Sequence, residues 1–158
     1  MIKLICLILV ITLVIYGCEK MTRYTEHDTT PVPSLTWTST EVIYDPYASK
    51  KDLSLLLFLT GDNDQCKQFI SQTLTDTAVI RHINATFNIA RIDPFSDTLV
   101  SYYNTAMSGS HMASKIYNIT QLPTTCVLNS RGEYITRWVG FINQEEYASH
   151  LEYAREHY

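Results

Sequence analysis

The sequence is short of the residues that most enzymes of its size would need. Only 5 of its 158 residues are glycine. None forms the Gly-rich phosphate loops of P-loop or dinucleotide-binding proteins, and no G-x-S-x-G elbow is present. The five histidines, His27, His82, His111, His150 and His157, lack the paired spacing of a zinc site, so no metal and no cofactor is expected. Basic residues are outnumbered: removing Lys3 from the 12 Lys and Arg leaves 11 against 16 Asp and Glu. That balance offers no basic patch and excludes nucleic acid as the expected partner. There is no internal repeat and no hydrophobic run long enough to span a bilayer as a mature helix. The length fits one domain.

The N-terminus is organised differently from the rest. Lys3 is followed by a run from Leu4 to Ile15 that is apolar except for Thr12, and then by "IYGC". This pattern reads as a signal segment over residues 1–17. Gly17 followed by Cys18 resembles a bacterial lipoprotein lipobox, with Tyr16 bulky for that motif. The resemblance implies cleavage before Cys18 and acylation there by chains such as palmitate. Each buried methylene of such a chain contributes about 0.8 kcal/mol to membrane anchoring. An ordinary signal peptide or a short uncleaved anchor are the alternatives. The expected location is the bacterial cell envelope, with the domain outside the cytoplasm. Residues 18–36 are polar and Thr-rich, with Pro31 and Pro33, and read as a tether.

The domain is expected over residues 37–158. "TWTSTEVIYDPYASKKD" is ambiguous between a short strand and an irregular lead-in. Leu53 to Leu59 is an unbroken apolar run of strand length, suited to the middle of a sheet. From Asp64 the spacing turns helical, with Cys66, Phe69, Ile70 and Leu74 on one stripe. Asp76 is placed to cap a helix that turns Val79, Ile80 and Ile83 inward. "TFNIARID" alternates as a strand. Residues 96–118 are expected to be helical at both ends and broken at "MSGSHMAS". "TTCVLN", "SRG" and "EYITRWVG" read as a hairpin, and Asn143 as the cap of a last helix that faces Tyr147, Leu151 and Ala154 to the sheet. The 11 tyrosines are spread along the chain and are expected to cover surface and edges.

Three stretches in this order, "LLLFLTGDNDQCKQF", "ARIDPF" and "YNITQLPTTCVLNSRGEYITRWVGF", resemble the thioredoxin fold. They are most similar to envelope thioredoxin-like proteins, over roughly residues 50–155. The resemblance implies an α/β fold, a three-layer α/β/α sandwich on a central mixed sheet. It also implies that Leu122-Pro123 is a cis-proline element beside which substrate peptides pair, a geometry open to X-Pro bonds at a cost of only about 0.5–1 kcal/mol.

Thioredoxin chemistry uses a low-pKa thiolate at a helix start and a second cysteine one turn on. The spacing to Phe69 aligns Cys66 with the second cysteine and places Asn63 where the attacking one would stand. The family's buried acid falls on Leu57. Asp62 and Asp64 disfavour further negative charge at Cys66, and Lys67 offsets part of this. Two readings stay open. One is a membrane-anchored protein without dithiol catalysis that binds an envelope protein or extended peptide near Asn63, Leu122 and Pro123. The other is a thiol-disulfide oxidoreductase or single-thiol reductant using Cys66. Cys126 reads as a buried strand cysteine; the resemblance implies that it stands too far from Cys66 for a bridge, and a Cys66–Cys126 pair is the alternative that would restore a redox reading.

Overall fold

The computed structural model describes residues 32–158. The signal segment, Cys18 and the tether as far as residue 31 lie outside the described residues. Contacts with the domain begin before Trp37. Asn84 accepts from the Thr36 amide and donates to the Ser34 carbonyl, and Leu35 packs on the core.

Six strands and five helices follow. Helix α1 is Thr40–Tyr44 and strand β1 is Leu53–Phe58. Helix α2, Asp64–Gln68, widens into a π-helical turn over Phe69–Thr73. Then come α3 (Thr77–Thr86), β2 (Phe87–Ile92), β3 (Leu99–Tyr102) and β4 (Thr105–Ser108). Helix α4, Gly109–His111, also continues as a π-helical turn, Met112–Ile116. The chain closes with β5 (Thr124–Asn129), β6 (Tyr134–Val139) and α5 (Gln144–His157).

The main sheet has the order β2-β1-β5-β6. β1 runs parallel to β2 and antiparallel to β5, and β5 is antiparallel to β6, so the sheet is mixed as expected. Every residue of β1 is buried. Alternation along the strand splits its side chains between two cores. Leu53, Leu55 and Leu57 face a core shared with Cys66, Phe69, Val79, Ile83, Tyr147 and Leu151. Leu56 and Phe58 face another, with Ile43, Tyr44, Met112, Tyr117 and Cys126. Layers on both faces of one sheet make the three-layer sandwich. The helix starts follow their caps: Asp76 accepts from Ala78 and Val79, and Asn143 from Glu145 and Glu146.

Two expectations about the secondary structure are corrected. The ambiguous lead-in holds a helix, α1, preceded by a bridge that pairs Trp37 with Ile89 beside β2. Residues 99–108 form a β-hairpin where a helix was expected. Its turn residues Tyr103 and Asn104 both have positive φ (44° and 65°), the geometry of a two-residue hairpin turn. Helix then starts at Gly109, inside the expected break. A Cβ on Gly109 would stand 2.6 Å from the Asp93 carbonyl, so only glycine lets this helix start approach the end of β2. Ser108 caps it through the His111 amide.

The hairpin also gathers the tyrosines. Tyr102 and Tyr103 pack on Tyr44, whose hydroxyl is hydrogen-bonded to that of Tyr117, and the Tyr117 ring faces Tyr134. Five of the eleven therefore form one cluster, contrary to the expected scatter.

Burial holds the hydroxyls of Tyr44, Tyr117 and Tyr147 protonated well above the ordinary range. In the unfolded chain they ionise near pH 10. Above that pH the unfolded state binds fewer protons than the native one, so stability falls as pH rises. Urea unfolding between pH 8 and 11 should show this loss, approaching about 1.4 kcal/mol per pH unit for each such group. A midpoint flat across that range would contradict the burial.

Candidate functional site

The site is built where β1 ends and α2 begins. Thr60 and Gly61 leave the sheet, and Asn63 stands at the N-cap of α2 with extended backbone (φ −102°, ψ 127°). Its Oδ1 accepts the Cys66 N–H at 3.0 Å. A helix start leaves its first amides without intrahelical partners, and a side-chain acceptor at the cap satisfies one of them. In a dithiol site a thiolate at this position would draw its stabilisation from the same amides. Here a neutral amide oxygen takes that bond.

Cys66 lies one turn into the helix and is completely buried. Burial pushes its thiol up. A backbone hydrogen bond from Thr60 and the Arg91 charge pull the other way, the Asp93 carboxylate adds to the rise, and the net shift is upward. The sulfur is therefore a core atom, packed among Phe69, Leu55 and Leu57 in the same cluster. Leu57, at the position of the family's acid, is buried and apolar. Cys126 is also buried, with its thiol pushed up to about 12. The two cysteines sit in the cores on opposite faces of the sheet, and both are free thiols.

Beside α2 runs an open groove of about 1410 Å³, lined by Asp62, Asn63, Asp64 and Leu122 together with Pro94, Phe95 and Phe141. The Leu122-Pro123 bond is cis, as the resemblance implied. Leu122 lines the groove while Pro123 is buried beneath it. The Pro123 carbonyl accepts from Gly140, which fixes the loop after β6 against the groove wall. Gln121 has its carbonyl taken by the Thr124 hydroxyl. Among the described residues, the N–H and C=O of Leu122 meet no partner. A free amide and carbonyl on the rim of a sheet form a template for pairing with an extended segment.

The structure thus brings Asn63, Leu122 and Pro123 to one place and keeps Cys66 below the surface. His111 is exposed at α4 and joins none of this. Asp93 caps its own turn by accepting from the Phe95 amide. The sequence reading missed Phe95 and Phe141. Phe95 is 75% exposed, and nothing in its local pattern separates a groove phenylalanine from one at the end of a strand.

The capping role of Asn63 makes two outcomes measurable. Asn63→Ala should lower unfolding free energy by about 1 kcal/mol, the usual worth of a cap. Asn63→Cys places a thiol one turn from Cys66 on the same helix end. Air oxidation should then join them, seen as the loss of two hydrogens by mass spectrometry. An Asn63→Cys chain that stays fully reduced would show that this helix end no longer has the geometry of a dithiol site.

The comparisons with known proteins agree with the fold. A solved structure described as "DsbH Oxidoreductase" matches with a TM-score of 0.63 at 16% identity, covering 89% of this chain and 99% of its own. A thioredoxin from Thermus thermophilus matches at 0.59 and 18%, covering 77% and 87%. A thioredoxin-fold protein from Helicobacter pylori matches at 0.57 and 22%, covering 68% and 71%. Comparison with curated proteins finds no match. At these identities the structural likeness establishes the fold and not the chemistry. The description of the thioredoxin-like domain matches residues 45–155, most of the sequence, and the chain belongs to that family.

Proposed function

We propose that this protein is a membrane-anchored thioredoxin-fold lipoprotein of the bacterial envelope that binds an extended peptide or protein segment without dithiol catalysis. One observation carries the reading: the helix start that would hold an attacking thiolate is capped by Asn63, and the thiol one turn on is buried. An amide cannot attack a disulfide, and a thiol without solvent access cannot meet one. The groove beside it keeps what binding needs. Leu122 offers an unpaired amide and carbonyl, and Phe95 and Phe141 offer apolar surface. Anchoring through Cys18 is the expectation from the sequence and would confine the groove to a membrane surface.

The competing reading makes Cys66 a nucleophile. Arg91 and the Thr60 hydrogen bond favour a thiolate there, but burial outweighs both. Peptide-resolved alkylation of the full-length chain separates the two readings. Cys66 should stay unmodified in the folded protein at pH 8 to 9 and react once urea unfolds it. Rapid modification of the folded protein below the free-cysteine value of about 8.5 would restore the enzyme reading. Peptides selected from a random library on the full-length chain should shift the amides of Gln121 and Leu122 in NMR spectra. Phe95→Ala should weaken them by about tenfold, as expected for losing an aromatic anchor, and Cys66→Ser should leave them bound. A library that yields no such binders would remove the binding reading.

A further inference from the structure

The groove has a charge sign and an apolar centre, and together they describe its occupant. This inference rests on the peptide-binding reading above and adds the substrate class. Asp62 and Asp64 line the groove, and no Lys or Arg is among its lining residues. Phe95, the most exposed phenylalanine there, is bracketed in sequence by Asp93 and Asp97. The Asp93 carboxylate fixes the Phe95 backbone by accepting its N–H at 3.0 Å, and Asp97 accepts weakly from Ser110 on α4. Lys67 pairs with Asp64 at 3.2 Å on an exposed surface, Arg91 is exposed two residues before Asp93, and Asp62 has no ion-pair partner among the described residues.

We infer that the groove selects a cationic extended segment in which an aromatic or aliphatic side chain is flanked by Lys or Arg. The apolar residue packs on Phe95, Phe141 and Leu122. The flanking cations meet Asp62 and the Asp93–Asp97 loop, and a guanidinium or ammonium can also lie over the Phe95 ring. An acidic segment is repelled by the same carboxylates. A second copy of this chain, itself of net charge −4, is repelled likewise. Charge therefore discriminates between partners that would gain equally from the Leu122 edge and the apolar surface.

The test uses the full-length chain in neutral detergent and three short fluorescent peptides that differ only at the centre: Lys-Phe-Arg, Ser-Phe-Ser and Glu-Phe-Glu. Anisotropy titration should rank them in that order, with roughly tenfold between the first and last at low salt, narrowing as salt screens the carboxylates. Asp62→Asn should weaken the cationic peptide by about twofold to fivefold and narrow its advantage over the serine peptide. Lys67→Gln should act in the opposite sense and tighten the cationic peptide, because it uncovers Asp64. That gain is a result no loss of folding can produce. Equal binding of all three peptides, with Leu122 amide shifts in each case, overturns the charge selection and leaves the peptide reading standing. Absence of Leu122 shifts with every peptide overturns both. Leu122 shifts that depend on protein concentration without any peptide would assign the groove to a second copy and overturn the inference.

Discussion

Strand β1 is the constraint on which everything else rests. Six consecutive residues are buried with no charged side chain among them, so the strand must be covered on both faces and flanked on both edges. Each fully buried leucine contributes roughly 1.5–3 kcal/mol relative to exposure, and that gain is available only with helices above and below the sheet. The consequence reaches the site directly. A strand held at this depth must surface at its end, and it does so through Thr60, Gly61 and Asp62 into the cap of α2. The position of the helix start, and the groove beside it, is a by-product of where the leucines stop. None of this depends on a thiol.

That independence explains how the fold accommodates Asn63. A helix N-terminus needs an acceptor for its first amides, and it is indifferent to whether the acceptor is a thiolate or an amide oxygen. A thiolate pairs capping with reactivity. Asparagine supplies the cap without a nucleophile. Cys66 is part of the core, and burial raises its thiol rather than activating it. Leu122 stands apart from that cap, placed by the start of β5 and by the hydrogen bond from Gly140 to the Pro123 carbonyl. The helix cap and the Leu122 edge are therefore built by different residues.

How much of this was legible in the sequence follows from the range of the interactions involved. β1, α3, the β5–β6 hairpin and the start of α5 were readable because short-range signals fix them: an apolar run, Asp76, an Arg-Gly turn, Asn143. The pairing of Asn63 with Cys66 was readable for the same reason, because the cap and the thiol are three residues apart. The β3–β4 hairpin was not. Its turn is Tyr103-Asn104, with no glycine to announce positive φ, and its first strand lies against α1, far away in sequence. The five-tyrosine cluster was invisible because it exists only once that hairpin folds onto Tyr44 and Tyr117. Gly109 misled for a physical reason. Glycine usually interrupts a helix, but here it is demanded at a helix start by the carbonyl of Asp93.

The groove was the least legible part, although its pieces had been noticed. Asp62 and Asp64 entered the sequence reading as groups that disfavour a thiolate at Cys66. In the folded protein Cys66 is shielded from solvent, so those carboxylates have little left to act on there. They line the same groove as Leu122 and Phe141, which come from segments roughly sixty to eighty residues away. A negative potential is a liability beside an attacking thiolate, because it raises the cost of the charge on which the reaction depends. Beside a binding edge it is a source of selectivity. Asp62 and Asp64, which weigh against a thiolate at the helix start, are the same residues that give the groove its charge sign.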